Sequence, residues 1–178
     1  AGTVAACLDQ AGLEYALLSD HDVTPGRLAG RRLVVLPYNP RLPEGMLEML
    51  RTFVDGGGKV ISFYSLAEGV PELLGVKRGT WGFAPGGPYR GFARVGEGLE
   101  GQPALAGQRS GLSLPAEPIP DTSRTVAVWR ANDGTDTDVP AIVVSERGAH
   151  VAHVWLMDDW DNKKALLLSL VAGAVPGV

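Results

Sequence analysis

The sequence predicts a three-layer α/β domain with a mainly parallel sheet and a β-rich insertion, and three neighbouring segments carry that prediction. Residues 33–36 form a short run of branched apolar residues. Residues 42–54 then place apolar side chains at helical spacing, and the glycines at 56–58 end that helix. Residues 59–64 form the next apolar strand. A strand, a helix and a second strand in this order are typical of a parallel α/β unit.

The amino-terminal region predicts a helix over residues 2–11 and then a strand over residues 15–19. Val4, Leu8 and Ala11 share one face of the helix, and the strand is an apolar run. The chain begins with this helix and without a methionine, so we expect that the strand preceding the helix lies upstream.

The remainder of the chain predicts one domain, residues 1–178, that contains an insertion. A helix interrupted by a proline is predicted over residues 66–74. Glycine and proline are frequent over residues 77–138, which predicts short strands and turns within that insertion. The later elements are predicted to be strands over 125–129, 141–144 and 149–155, with a hairpin turn at Arg147-Gly148, and a final helix over 161–174.

Composition narrows the range of functions. The 178 residues are 45% hydrophobic, which is enough for a buried core. The net charge is -4 and no basic run tracks a phosphate backbone, so nucleic acid is not a predicted partner. No apolar run is long enough to span a bilayer, so no membrane partner is predicted. The single Cys7 excludes an internal disulfide, and the compartment stays open because no targeting segment is visible.

Several of these segments together resemble a known family. The residues that carry the resemblance are Leu36-Pro37-Tyr38, Gly56-Gly57-Gly58-Lys59-Val60, Leu66-Ala67-Glu68, Leu73-Leu74-Gly75-Val76 and residues 148–156. They resemble the class I glutamine-amidotransferase-like fold, in its non-catalytic branch that includes beta-galactosidase trimerisation domains. The resemblance implies a flavodoxin-like sheet and an accessory or oligomerisation domain of a larger glycoside-hydrolase-like protein. The implied partners are other domains or subunits of that protein, with carbohydrate as a further candidate.

The family's catalytic residues do not carry over to this sequence. Ser65 stands where active members place a cysteine, and its neighbours Tyr64 and Leu66 are not small. The family's His-x-Glu is also absent, because His153 is followed by Val154 and Trp155. The resemblance therefore implies no catalytic role for this domain alone, and neither a cofactor nor a metal is predicted.

A serine-dependent hydrolase remains an alternative, in which Ser65 is the nucleophile and His153 the base. A hydroxyl needs an adjacent base before it attacks a carbonyl. The competing interpretation is that Ser65 caps the helix that follows it, since a strained nucleophile turn requires small neighbours.

A third hypothesis is a small-molecule or sugar-binding module at the edge where the parallel strands end. Ligands bind there in open α/β sheets. The candidate residues are Asp20, His21, Tyr38, Asn39, Ser65 and His153. Within this set, the Asp20-His21-Asp22 segment is either a metal or substrate site, or a loop whose carboxylates bind nearby amides.

Two further groups of residues have competing interpretations. Asp158, Asp159 and Asp161 either bind a cation or cap the final helix, and the acidic segment 133–138 is interpreted as a polar hairpin tip. Four aromatic side chains of the insertion either pack in the core or form an interface. They are Trp81, Phe83, Tyr89 and Phe92.

Overall fold

The computed structural model describes residues 1–177, and its elements alternate early in the chain and become mostly strands later. The elements are α1 Gly2–Gln10, a 3-10 turn Asp20–Asp22, α2 Pro25–Leu28, β1 Leu33–Leu36, α3 Met46–Asp55, β2 Lys59–Phe63, α4 Val70–Leu74, β3 Val76–Arg78, β4 Gly82–Phe83, β5 Tyr89–Arg94, β6 Leu105–Ser110, β7 Leu112–Ser113, β8 Ala116–Pro118, β9 Ser123–Arg130, β10 Asp136–Ser145, β11 Gly148–Val151 and α5 Trp160–Ala174.

Seven strands form one mixed sheet in the order β1-β2-β11-β10-β9-β5-β6, and this sheet curls into a half-barrel. The strands β1, β2 and β11 pair in parallel, and we call them the parallel half. The strands β10, β9, β5 and β6 pair antiparallel, and we call them the antiparallel half. Two small ribbons, β3 with β8 and β4 with β7, complete the strand structure of residues 1–177.

The prediction of a three-layer fold on a mainly parallel sheet is wrong. Strand accounts for 30% of the residues and helix for 26%, and only two of the pairings in the main sheet are parallel. The reason is the length of the connections, because tight turns force antiparallel pairing whereas a parallel pair needs a long crossover. Only the α3 connection between β1 and β2 supplies a helical crossover between consecutive strands; β9, β10 and β11 follow one another through short turns.

The unit β1–α3–β2 forms as predicted. Leu33 pairs with Lys59 and Leu36 with Ser62 in a parallel register. Helix α3 is amphipathic and buries Met46, Leu50 and Val54. The next helix is shorter than predicted: α4 begins at Val70 because proline is tolerated only in the first turn of a helix.

The predicted strand over residues 15–19 is absent from the structure. These residues belong to no ladder, and the side chain of Leu17 is 70% exposed. An apolar run becomes a strand only where a neighbouring backbone accepts and donates its hydrogen bonds. Strand β1 pairs with β2 alone, so its other edge is an edge of the sheet.

The core lies on both faces of the sheet. One apolar cluster gathers residues of α1 and α5 against strands of both halves, around the fully buried Trp129. The second cluster packs α3 and α4 against the parallel half. The Trp129 indole donates to Ser113 Oγ over 2.7 Å, so its polar atom is satisfied inside the core.

The predicted insertion over residues 77–138 contributes β5, β6 and β9 to the main sheet. Its status as an insertion within a single domain stays a prediction. Within residues 1–177, none of the helices is both long enough and apolar enough to cross a bilayer.

The acidic residues before α5 have a role that neither interpretation anticipated. Asp159 Oδ2 accepts from the Gly107 amide over 2.5 Å, and Asp158 Oδ2 accepts from the Arg109 amide over 2.9 Å. Gly107 and Arg109 lie on β6, the outermost strand of the antiparallel half. The two carboxylates therefore occupy the outer edge of the sheet rather than capping the helix through a hydrogen bond.

The acidic segment after Ala131 forms a hairpin tip, as predicted. Asp133 Oδ1 accepts hydrogen bonds from both the amide and the hydroxyl of Thr135. The hydrogen bond from the Thr135 amide, and to a smaller extent that from its hydroxyl, lowers the pKa of Asp133 below its ordinary value. The tip connects β9 to β10 and tightens their antiparallel pairing.

Candidate aromatic site

Aromatic side chains gather where the parallel half ends. Tyr38 and Tyr64 follow the ends of β1 and β2, and His153 follows β11. Trp81 and Phe83 reach the same surface from the β4 ribbon. We call these five residues the aromatic rim.

Tyr64 is the centre of the rim. Its ring lies 6.1 Å from the ring of Tyr38 in a stacked arrangement and 4.7 Å from the imidazole of His153. The backbone of Tyr64 has φ 51°, which is the left-handed region that bulky residues rarely adopt. This conformation costs about 1 to 2 kcal/mol. The rim therefore contains a residue with an energetically unfavourable backbone conformation, and such conformations are concentrated at functional sites.

Trp81 and Phe83 extend the rim outward. The Trp81 indole donates to the Tyr64 hydroxyl over 3.0 Å, and the Trp81 and Phe83 rings meet edge to face at 4.9 Å. Trp81 is 47% exposed, Phe83 is 73% exposed and Tyr38 is 54% exposed. Large aromatic residues at such exposure form a surface suited to a ligand or a partner.

The four aromatic residues with competing interpretations divide into two pairs. Trp81 and Phe83 lie at the surface, whereas Tyr89 and Phe92 lie in the core against Trp129. Burial raises the pKa of Tyr89 above its ordinary value, since the phenolate would be desolvated.

A polar network lies beside the rim and joins the ends of β1 and β2. The Asn39 amide nitrogen of the backbone donates to Ser65 Oγ over 2.9 Å, and the Asn39 side chain donates to Asp20 Oδ1 over 2.7 Å. Ser65 Oγ donates in turn to the carbonyl of Phe63. The network uses the Ser65 hydroxyl both as donor and as acceptor, and it leaves Asn39 Oδ1 buried without a hydrogen-bond partner within residues 1–177.

Ser65 and His153 do not form a nucleophile–base pair. Ser65 Oγ contacts Asn39 and Phe63, and His153 Nδ1 donates to the carbonyl of Val154 over 3.1 Å. No hydrogen bond joins the two side chains in the part of the chain that the structure describes. Ser65 also caps no helix, because α4 begins five residues later at Val70.

A second serine–histidine pair exists, but it is inaccessible. Ser62 Oγ lies 2.8 Å from His150 Nδ1, and His150 Nε2 lies 2.8 Å from the Leu114 carbonyl. The carbonyl only accepts, so Nε2 carries the proton and Ser62 donates to Nδ1. Both side chains are buried, and burial lowers the pKa of His150 to about 4. The pair links the sheet to the loop at Leu114.

The Asp20-His21-Asp22 segment forms a 3-10 turn and not a ligand cluster. Ser19 Oγ donates to Asp22 Oδ2 over 2.6 Å, and His21 is exposed without a hydrogen bond in the described residues. Residues 1–177 contain no group of three or more carboxylate, histidine or cysteine side chains placed to hold a metal ion.

The structure thus brings together most of the predicted rim residues. Asp20, Asn39 and Ser65 share the polar network, and Tyr38 and His153 both contact Tyr64. Their binding role stays a prediction. Sequence reasoning missed Tyr64 as the centre of the rim, although its position directly after a buried strand was a usable signal.

The fold and the site define a small domain with a mixed curled sheet, an exposed aromatic rim and, within residues 1–177, no accessible hydroxyl–histidine pair. No protein-family model matches the sequence, and no curated protein matches it. Solved structures match nearly the whole chain. Alpha-L-fucosidase isoenzyme 2 from Paenibacillus thiaminolyticus matches 98% of it with a TM-score of 0.74 at 14% identity. The beta-galactosidase from Rahnella sp. R3 matches 96% of it with a TM-score of 0.70 at 16% identity.

The extent of each match differs among these proteins. The chain spans 29% of the fucosidase chain and 26% of the beta-galactosidase chain. It also matches the mmIFT52 N-terminal domain with a TM-score of 0.69 at 10% identity, over 98% of this chain and 90% of that one. At these identities the likeness establishes the fold alone. The beta-galactosidase part of the predicted resemblance is consistent with these matches, and the amidotransferase part is unsupported.

Proposed function

We propose that this chain is a non-catalytic accessory domain of a larger glycoside-hydrolase-like protein and provides contacts between its domains or subunits. The observation that carries the proposal is the difference between the share of this chain and the share of each glycosidase chain that the structural matches cover. Nearly all of this chain corresponds to little more than a quarter of two glycosidase chains. A segment of that size accompanies other domains in the matched proteins, and this chain is proposed to do the same.

The side-chain chemistry supports a non-catalytic role. Hydrolysis of a glycosidic bond needs two carboxyl groups facing one space, and hydrolysis of an ester or amide needs an activated nucleophile. At the rim, the Ser65 hydroxyl is occupied by Asn39 and Phe63, and the Asp20 carboxylate accepts from Asn39. These groups fasten the loops together and have no free partner for proton transfer.

The aromatic rim is the proposed contact surface. Tyrosine and tryptophan are enriched where proteins meet, because they combine a large apolar area with a polar handle. Trp81 is held by its hydrogen bond to Tyr64 and by its contact with Phe83, so little side-chain freedom is lost when a partner covers it.

The test uses the full-length protein. Replacing Phe83 with alanine removes the most exposed ring of the rim without touching the core. We expect the variant to make this domain more susceptible to limited proteolysis, or to lower the mass of the assembly measured by light scattering. Val95→Ala is the matched control, because Val95 is an exposed apolar residue outside the rim.

Two results would contradict the proposal. The first is a gene product that consists of this domain alone. The second is a full-length protein in which Trp81 remains as accessible to a soluble quencher as in the 178-residue chain, because a contact surface must become covered.

A second candidate function is sugar binding at the same rim. Sugar rings stack on exposed aromatic faces, and Asp20 together with Asn39 offers polar atoms beside Tyr38. Lactose and L-fucose are suitable probes, since two matched chains are a beta-galactosidase and an alpha-L-fucosidase. Saturable shifts in the Tyr38 and Trp81 resonances of the wild type, with the Tyr38 shift lost in Trp81→Ala, would favour this candidate; unchanged spectra at millimolar sugar would exclude it.

A further inference from the structure

The outer edge of β1 has backbone amides and carbonyls that point away from the sheet. The Arg32 carbonyl accepts from the Lys59 amide, which fixes the phase of the ladder between β1 and β2. In a parallel ladder alternate residues direct both backbone groups to the same neighbour. Val34 therefore bonds to β2, and the amides and carbonyls of Leu33 and Val35 point away from the sheet.

These outward groups have no hydrogen-bond partner within residues 1–177. The edge is short, at four residues, but within the strand it has none of the charged, proline or bulge devices that discourage edge pairing. Residues Leu33–Leu36 are all apolar, without lysine, proline or a bulge in their register with β2. A bare, apolar edge of this kind is ready to accept another strand.

The other edge of the same sheet is closed. Asp159 and Asp158 accept from the amides of Gly107 and Arg109 on the outer side of β6. The molecule thus blocks extension at β6 and leaves it open at β1. Because both edges belong to one sheet, the difference arises from local side chains and not from the fold as a whole.

Apolar groups flank the open position on both faces. Leu33 and Val35 pack against the cluster that contains α1 and α5, and Val34 packs against the cluster that contains α3. A strand added beside β1 would continue both apolar layers. Strands buried on both faces are continuous apolar runs rich in valine, isoleucine and leucine.

We propose that the outer edge of β1 binds one further β-strand, an apolar run supplied by the larger polypeptide to which this chain is assigned above. The inference rests on the proposed function for the source of the strand. It adds to that function a specific backbone contact that is separate from the aromatic rim.

The size of the edge favours a strand from the same polypeptide over a free partner. Leu33 and Val35 offer two amides and two carbonyls, so a docked strand gains four hydrogen bonds at most. Each contributes little net free energy, and a separate molecule must also lose its translational and rotational freedom. A tethered strand binds at high effective concentration and avoids most of that loss.

Hydrogen exchange in the full-length protein tests the inference. We expect the Leu33 and Val35 amides to exchange about 100-fold more slowly in the full-length protein than in the 178-residue chain. The Val34 amide, already bonded to β2, reports whether the ladder is intact, and Gly107 and Arg109 serve as protected controls on the other edge.

Substitution sharpens the test. Val35→Pro removes an outward amide, so the ladder with β2 keeps its hydrogen bonds while a docked strand loses one. We expect Leu33 to become fast-exchanging in full-length Val35→Pro and to stay protected in full-length Val35→Ala. Equal protection of Leu33 in the two variants would overturn the inference.

The remaining outcomes separate this inference from the proposed function. Fast exchange of Leu33 in a wild-type full-length protein that contains further glycosidase-like domains overturns the docked strand and leaves the accessory role intact. Protection that appears only at high protein concentration identifies a second copy as the occupant and overturns the tethered strand. A gene product of this domain alone overturns both.

Discussion

The two outer edges of the seven-stranded sheet differ in how their backbones are satisfied. At β6, carboxylates from the loop before α5 accept from two outward amides. At β1, the outward amides of Leu33 and Val35 have no partner within the described residues 1–177. The β6 edge belongs to a half that contains the β5–β6 and β9–β10 hairpins, and the β1 edge to a half whose β1–β2 pair is joined through the α3 crossover. The comparison indicates that a sheet edge is closed by side chains delivered from elsewhere in the chain.

The largest expected effect is a loss of stability at low pH, caused by His150 on strand β11 of the parallel half. Burial lowers the pKa of His150 from 6.5 to about 4. Between these two pH values, the side chain is therefore mostly neutral in the folded protein and mostly protonated in the unfolded chain. Its contribution to stability is complete above pH 6.5 and is lost as the pH falls toward 4. The loss is about 3 kcal/mol by the linkage relation.

The measurement compares chemical denaturation of wild type and His150→Gln between pH 7 and pH 4. Glutamine can donate to the Leu114 carbonyl and accept from Ser62, and it does not titrate. We expect the difference in unfolding free energy between the two proteins to change by about 3 kcal/mol across this range. A difference in unfolding free energy that stays constant with pH would contradict the prediction that protonation of His150 destabilises the fold in acid.

A smaller effect is expected from Ser65→Ala, which cuts the tie between the ends of β1 and β2. The Asn39 amide is buried and would lose its acceptor, at a cost of about 2 kcal/mol in unfolding free energy. Ser169→Ala is the control: Ser169 is also buried, but its hydroxyl donates only to a helical carbonyl. Equal losses in the two variants would contradict a specific role for the tie.

The smallest stability effect is expected at the closed edge. Asp159→Ala removes the acceptor of the Gly107 amide, but this amide lies at the surface and water can replace the carboxylate. We expect about 1 kcal/mol or less in unfolding free energy, together with a rise in self-association measured by light scattering. Asp161→Ala, which leaves the edge covered, should change neither quantity. A large stability loss without self-association would mean that the carboxylates stabilise the fold instead of closing the edge.

The parts of the structure that local pattern determines were predictable. The β1–α3–β2 unit and the hairpin turn at Arg147-Gly148 follow from periodicity and from glycine placement over a few residues. The order of strands in the sheet was not predictable in this way. It depends on which distant backbones pair, and the prediction of a mainly parallel sheet failed for that reason.

The site shows the same division between local and distant information. Tyr38, Asn39 and Ser65 were predicted because they directly follow apolar strands. The carboxylates at β6 were missed because Asp158 meets Arg109 across 49 residues of sequence. The strand predicted over residues 15–19 failed because no neighbour completes its ladder, although its composition suits a strand.

Trp81 gives the rim an optical signature once Trp160, the other partly exposed indole, is replaced by phenylalanine. Trp129 and Trp155 are enclosed by apolar side chains, whereas the indole of Trp81 lies half in water and is tethered to a phenol. Its emission should therefore lie at longer wavelength than theirs and should shift to shorter wavelength when anything covers the rim. Occupancy of this surface is thus visible as a colour change in the protein's own fluorescence, without any label.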